Sequence, residues 1–160
     1  MRRSIVAACA TLVGTIPALA EWQFIEKGSA FSQGAAHAFA AVEDGYSLVV
    51  ACRDRQARAA VASPVSSDLG VDLADVNSRE VAGLTKVDAM PEKSNRAVVR
   101  SVNGSLAVEF DIDRDQLEAL ADAQVFFAAA LSVDRRIVFE ARFSAQGAGG
   151  VVDRFLQNCH

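Results

Sequence analysis

The chain has 160 residues, 51% of them hydrophobic, with 16 Lys+Arg against 20 Asp+Glu and a formal net charge of −4. A mildly acidic chain without a basic run lacks the cationic face that nucleic acid or an anionic lipid surface would require. The composition is globular, with no low-complexity tract, long charge run or repeat, and the length suits one domain able to bury a core.

The first element is a targeting segment. Arg2 and Arg3 give a positive start, Ile5 to Ile16 is an uncharged apolar run, and Ala18-Leu19-Ala20 is a small-x-small site before Glu21. This is the pattern of a cleaved secretory signal peptide over residues 1–20. The run is shorter than the roughly 20 residues a membrane-spanning helix needs. Val6-Ala7-Ala8-Cys9 imitates a lipoprotein site, but the apolar stretch before Cys9 falls below the minimum of about 7 residues for such a leader. The expectation is a single domain over residues 21–160, periplasmic or secreted, with no membrane insertion after cleavage between Ala20 and Glu21. Loss of Arg2 and Arg3 leaves 14 basic against 20 acidic residues, a net charge of −6.

Cys52 and Cys159 remain after cleavage. Two lone cysteines in an oxidising compartment are expected to pair. The bond would close a loop of about 100 residues, which the chain-entropy treatment values on the order of 4–5 kcal/mol. A redox or zinc pair is disfavoured, because there is no C-x-x-C and His160 beside Cys159 falls far short of a metal site.

The mature chain then reads mostly as strands. Trp22 to Glu26 is the first. His37 to Glu43 and Ser47 to Arg53 flank Asp44-Gly45, a tight-hairpin dipeptide. In the latter strand Leu48, Val50 and Cys52 share one face. Ala57 to Ser63 is a further strand stopped by Pro64. Residues 66–77 are ambiguous, with Asp68, Asp72 and Asp75 interleaved among Leu69, Val71, Leu73 and Val76. Arg79 to Asp88 reads as a strand, and Met90 to Asn95, with Pro91, as a loop.

The second half is clearer. Arg96 to Val102 and Ser105 to Ile112 flank Asn103-Gly104, and Leu106, Val108, Phe110 and Ile112 alternate with polar or small residues, as in a half-buried antiparallel strand. Gln124 to Val133 and Arg136 to Phe143 form a hairpin around Asp134-Arg135. Ile137, Phe139, Ala141 and Phe143 are expected inside, and Phe126 to Leu131, apolar on both faces, is placed centrally. Asp113 caps a helix with Gln116 three residues on and an Ile112–Leu117 staple. A last helix runs from about Gly150 to Asn158, with Cys159 on its apolar stripe. The fold expected is mainly β (α+β): an antiparallel β-sandwich with a short capped helix and a C-terminal helix tethered by Cys52–Cys159.

Candidate chemistry is sparse. Asp111-x-Asp113-x-Asp115 imitates the start of a calcium loop, but Gln116 stands where that loop wants Gly and Asp122 where it wants Glu, so helix capping explains the acids better. His37 and His160 neighbour no nucleophile signature, and G-x-S-x-G is absent. Glu109 and Asp111 share a strand face as a glycosidase pair might, but acids at this density produce such pairs freely. Gly147, Gly149 and Gly150 match neither phosphate-binding fingerprint and read as a connection into the last helix. Asn103-Gly104-Ser105 is a formal glycosylation acceptor and serves better as a turn. Arg53, Arg55 and Arg58 form a small basic cluster. The expectation is no catalytic residue, no metal and no cofactor.

Several of these pieces together resemble a known type of protein. They are the export signal, Trp22 near the mature start, the strand ending Leu48-Val49-Val50-Ala51-Cys52, paired hairpins, Phe143-Ser144-Ala145-Gln146-Gly147, and the closing Phe155-Leu156-Gln157-Asn158-Cys159. The arrangement resembles small Gram-negative periplasmic proteins of the type VI secretion accessory and invasion-associated locus B kind. The resemblance implies a non-enzymatic β-sandwich in the periplasm, and its only residues to carry over are Cys52 and Cys159. The function expected is an exported binding or accessory protein that recognises another envelope protein or an envelope component. Two alternatives are an inhibitor of an envelope-directed hydrolase such as lysozyme, with residues 66–77 as its plug, and a carboxylate-dependent hydrolase.

Overall fold

The computed structural model describes residues 20–27, 36–64, 73–102 and 105–159. The expected leader up to residue 19, residues 66–72 of the ambiguous stretch, the expected turn at Asn103-Gly104 and His160 lie outside the described residues. Among the described residues, nine strands and three helices follow in chain order. β1 (Glu21–Lys27), β2 (Ala36–Glu43), β3 (Tyr46–Arg53) and β4 (Gln56–Ala62) make a meander. Its turns at Asp44-Gly45 and Asp54-Arg55 hold both central residues at positive φ, 51° and 81°, then 51° and 65°. That is the twist-matched hairpin turn, and Gly45 adopts it at no steric cost.

Helix α1 (Leu73–Asn77) occupies the end of the ambiguous stretch, and β5 (Val81–Val87) follows. β6 (Lys93–Val102) starts inside the segment expected to be a loop, because Lys93 to Arg96 pair with Thr85 to Ala82 of β5. β7 (Ser105–Asp111) pairs with the second half of β6, with Ser105 opposite Val102. Helix α2 (Arg114–Ala121) carries the expected capping box. The Gln116 backbone N–H donates to Asp113 Oδ1 at 2.8 Å, and the Asp113 N–H donates back to the Gln116 side chain at 3.1 Å. β8 (Phe126–Val133) and β9 (Arg136–Ser144) form the last hairpin, and α3 (Ala148–Asn158) closes the chain.

The strands make one antiparallel series, β1-β2-β3-β4-β7-β6-β5-β8-β9. The sandwich expected from the alternation gives way to a single curled sheet, a half-barrel. The reason lies in β6, whose first half pairs with β5 and whose second half pairs with β7. One long strand thus carries the hydrogen bonding around the bend, so no second, separate sheet is needed. Where β5 departs, Asn77 takes its place. The Val99 N–H donates to Asn77 Oδ1 and Asn77 Nδ2 donates to the Val99 carbonyl, both at 2.9 Å.

The curl encloses one core. Phe39, Leu48, Val50, Val61, Val108, Phe127, Leu131 and Phe143 are fully buried on its concave side. Burial of this kind is worth about 1.5–3 kcal/mol for each large apolar side chain. Trp22 joins the two ends of the series. Its ring lies 6.1 Å from Phe39 and 6.4 Å from Phe143, and its Nε1–H donates to the Ser144 carbonyl at 2.8 Å. Glu43 accepts from the Ser144 N–H. Side chains from β1 and β2 therefore meet the open backbone of β9, which would otherwise be an unpaired edge.

Three further expectations are corrected. Ile137 is 57% exposed rather than inside, because a register shift between Leu131 and Ser132 places one extra residue in β9 and reverses its alternation there. Phe126 to Leu131 is buried on both faces, yet β8 is next to last in the series and not central. Its outer alanines are covered by longer neighbours, Ala128 lying between Lys86 and Arg142 and Ala130 between Leu84 and Glu140. Helix α3 begins at Ala148, two residues before Gly150, with Gly147 at φ 87° as its N-cap. The glycines permit a close helix crossing, since a Cβ on Gly149 would stand 2.8 Å from the Ala121 carbonyl oxygen of α2.

Candidate functional site

Helix α3 plugs the curl. Ala148, Val152 and Phe155 are buried, and Phe155 meets Phe39 edge-on at 5.1 Å. Outside, Arg154 lies 4.2 Å over the Phe24 ring and 3.4 Å from Glu26, holding the helix to β1. Its C-terminus is fixed covalently. Cys52 and Cys159 are joined, with an S–S distance of 2.04 Å, a Cα–Cα distance of 5.6 Å and a separation of 107 residues. Both cysteines of the sequence reading therefore meet, at the end of the inner row of β3.

A concavity opens beside this bond, where the β3–β4 turn, β6, the start of α2 and the end of α3 converge. Its volume is about 520 Å³. The floor is apolar, made by Ala57, Ile112, Leu117, Phe155, Leu156 and the cystine. Polar groups rim it: Arg55, Gln56, Asn95, Asp111, Asp113 and Arg114.

Each acidic candidate in this region is already engaged. Asp111 pairs with Arg58 at 3.1 Å across the β4–β7 ladder, and Glu109 pairs with Arg100 at 2.9 Å. Asp113 caps α2 and accepts from Lys93 Nζ at 2.9 Å. Partial burial of Asp113 pushes its pKa up, but the Lys93 hydrogen bond and the Gln116 N–H outweigh it and hold the carboxyl below its ordinary value. A carboxyl so held is unsuited to donating a proton at neutral pH. Asp111 ends a strand, Asp113 caps and Asp115 lies in the first helical turn, so the three acids do not converge as a calcium loop would.

The remaining candidates separate. His37 packs flat against Phe24 with ring centroids 6.1 Å apart, and its Nδ1 is buried without a partner. The basic cluster divides. Arg58 is paired, Arg53 stands on the outer face of β3, and Arg55 sits in the turn at the cleft mouth. Gly147 shapes a helix start. Sequence reading missed Asn95, which lines the cleft and whose Nδ2 is buried with no acceptor. Nothing in a Lys-Ser-Asn-Arg stretch after a proline distinguishes that asparagine from a loop residue.

In fold, the chain is similar to invasion associated protein B from Bartonella henselae. The likeness covers 88% of this chain and 97% of that one, with a TM-score of 0.54 and 13% identity. No family model and no curated protein sequence matches the chain. The invasion-associated resemblance read from residue spacing is thus met at the level of fold. The curled sheet shared with invasion associated protein B carries, in this chain, an unusual outer face. Ala38, Ala40 and Val42 of β2, Ser47, Val49 and Ala51 of β3, and Ala60 and Ala62 of β4 lie side by side and carry no charge. Val42 is 54% exposed and Val49 38%. Among the described residues no helix is long and apolar enough to cross a membrane.

Proposed function

We propose that this chain is an exported, non-enzymatic binding or accessory protein of the bacterial periplasm that recognises another envelope protein through the outer face of β2–β4. The observation that carries this reading is the neutral centre of that face. An antiparallel sheet with one buried side ordinarily presents polar residues on the other. Here the row Ala40–Val49–Ala60 crosses three strands without a polar side chain, Val49 within it is exposed, and exposed Val42 lies beside it. Charge lies at the margins, with Arg53 and Arg58 at one end of the strands and Glu21 at the other. That pattern fits a folded protein partner with a flat apolar patch bordered by charges in the opposite order. The disulfide suits an oxidising compartment, in keeping with the leader sequence. The carboxylates of Asp111, Glu109 and Asp113 are each held in an ion pair, which favours binding over acid catalysis at these three positions.

Photo-crosslinking in the native periplasm from position 49, with a control at Asp153 on the exposed side of α3, tests this. A defined heterologous adduct from position 49 that is absent from position 153 supports the proposal. An adduct with a second copy would make the face a homodimer contact instead, and equal labelling at both positions would remove the proposal. Turnover of an envelope substrate, abolished by Asp111→Asn, would replace it with an enzymatic role.

A further inference from the structure

The end cleft is independent of the outer face and has its own chemistry. Its charges are unequally committed. Asp111 is held by Arg58, Asp113 by Lys93 and the helix cap, and Arg114 by Glu118 at 2.7 Å. Arg55 forms no ion pair among the described residues. Both central residues of its two-residue turn lie at positive φ, which fixes the base of its side chain at the cleft mouth. A guanidinium without a partner is matched best by a planar oxyanion such as carboxylate, which can take two parallel hydrogen bonds.

A second unmet group stands at the side of the cleft. Asn95 faces Gly83 across the β5–β6 pair, and its Nδ2 is buried with no acceptor. A buried donor left unpaired is destabilising, and an acceptor brought to it relieves the loss. The amide has to turn about its last torsion to reach an acceptor in the cleft, and such terminal torsions are soft. The same cleft is lined by the apolar side chains of Leu117, Phe155 and Leu156. The volume of about 520 Å³ lies within the range of small-molecule sites.

We infer that the cleft binds an amphiphilic monocarboxylate, a single carboxylate on a short apolar body. Arg55 takes the carboxylate, Asn95 donates to a second oxygen, and the floor buries the apolar part. Two sources share this chemistry, a medium-chain fatty acid and a polypeptide C-terminus with an aliphatic last residue. A single unpaired cation beside Asp111 and Asp113 favours one negative charge over the two or three of a phosphate.

Amide NMR titration of the folded, oxidised protein tests the inference with two ligands, decanoate and acetyl-Leu-Leu, each beside its neutral amide. The expected result is shift changes confined to Arg55, Asn95, Leu117, Leu156 and their neighbours, with the carboxylate at least about tenfold tighter than its amide. A response to decanoate alone identifies the lipid source, and a response to the dipeptide alone the polypeptide source. Arg55→Gln, at an exposed turn, is expected to abolish the preference for the carboxylate. Asn95→Leu should weaken both forms. The inference is overturned if neither carboxylate shifts these amides at about 5 mM, a concentration well above the dissociation constant of a specific small-molecule site. It is also overturned if acid and amide bind equally, or if Arg55→Gln keeps the preference.

Discussion

Replacing Gly83 by alanine tests how the curled sheet packs. Gly83 lies on the concave side of β5, and the Phe110 ring of β7 rests against its backbone. A Cβ there would stand 2.2 Å from Phe110 Cδ1, 2.5 Å from Cγ and 2.8 Å from Cε1. Carbon–carbon contact is favourable from about 3.5 Å, so the ring would have to retreat by about 1.3 Å. It has little room, being 2% exposed and flanked across the ladder by Ala59 and Ala97. Overpacking of this kind costs about 1–3 kcal/mol. The backbone effect has the opposite sign, because alanine restricts the unfolded chain and would stabilise by about 0.4–1 kcal/mol in an open site. The net expectation for Gly83→Ala is destabilisation of about 1–2 kcal/mol. Phe110→Ala alone should cost about 3–5 kcal/mol through the cavity it leaves. In the double variant the new methyl enters that cavity, so the two losses should fall short of their sum by about 1 kcal/mol or more. Urea unfolding followed by the fluorescence of Trp22 measures all four species. An unchanged or stabilised Gly83→Ala protein, or strict additivity in the cycle, would refute the packing described.

Other expectations follow from single side chains. Asp88 accepts backbone N–H groups from Gln124 at 2.8 Å, Val125 at 3.0 Å and Phe126 at 2.7 Å, and these bonds, the one from Gln124 foremost, hold its carboxyl below its ordinary value of 3.8. A depressed folded-state pKa gives stability that is complete above the unfolded value and is lost as pH falls through the folded one. Acid titration of the unfolding midpoint should therefore show a loss below about pH 4 that Asp88→Asn diminishes; an identical acid profile in that variant would contradict the assignment. Asp113→Ala should cost about 1 kcal/mol of stability in urea, and Asp113→Asn, which keeps the cap acceptor, markedly less. Equal losses would point to the Lys93 pair rather than the cap.

Much of the fold is legible in the chain. Asp44-Gly45 and Asp134-Arg135 mark hairpins that form, the capping box at Asp113 and Gln116 forms, and pairing the two cysteines beyond the expected leader yields the bond that forms. What local pattern cannot convey is how strands sort themselves. Alternation in Leu106, Val108, Phe110 and Ile112 shows that one face is buried, but not whether a second sheet or the same sheet returning buries it. The pairings of β4 with β7 and of β5 with β8 depend on contacts distant in sequence. The Asp54-Arg55 turn has the same glycine-free dipeptide and the same positive φ as Asp134-Arg135, and Arg55 adopts that φ under the constraint of the meander. The bulge that exposes Ile137 is invisible to a period-two reading, because it is an interruption of the period. The cleft is less legible still. Its polar rim comes from a turn, a strand and a helix start far apart in the chain, and its unpaired amide was hidden in a presumed loop.

The central structural claim is that the tail is tied to an early strand and so holds α3 in the mouth of the curl. Non-reducing peptide mapping combined with urea unfolding, before and after reduction, tests it most directly. The account predicts a single Cys52–Cys159 cross-linked peptide in the oxidised protein. Opening a loop of 107 residues should cost about 4.8 kcal/mol in the chain-entropy treatment, a midpoint shift of roughly 2 M urea. Two free thiols at those positions, or a midpoint that reduction leaves unmoved, would contradict it.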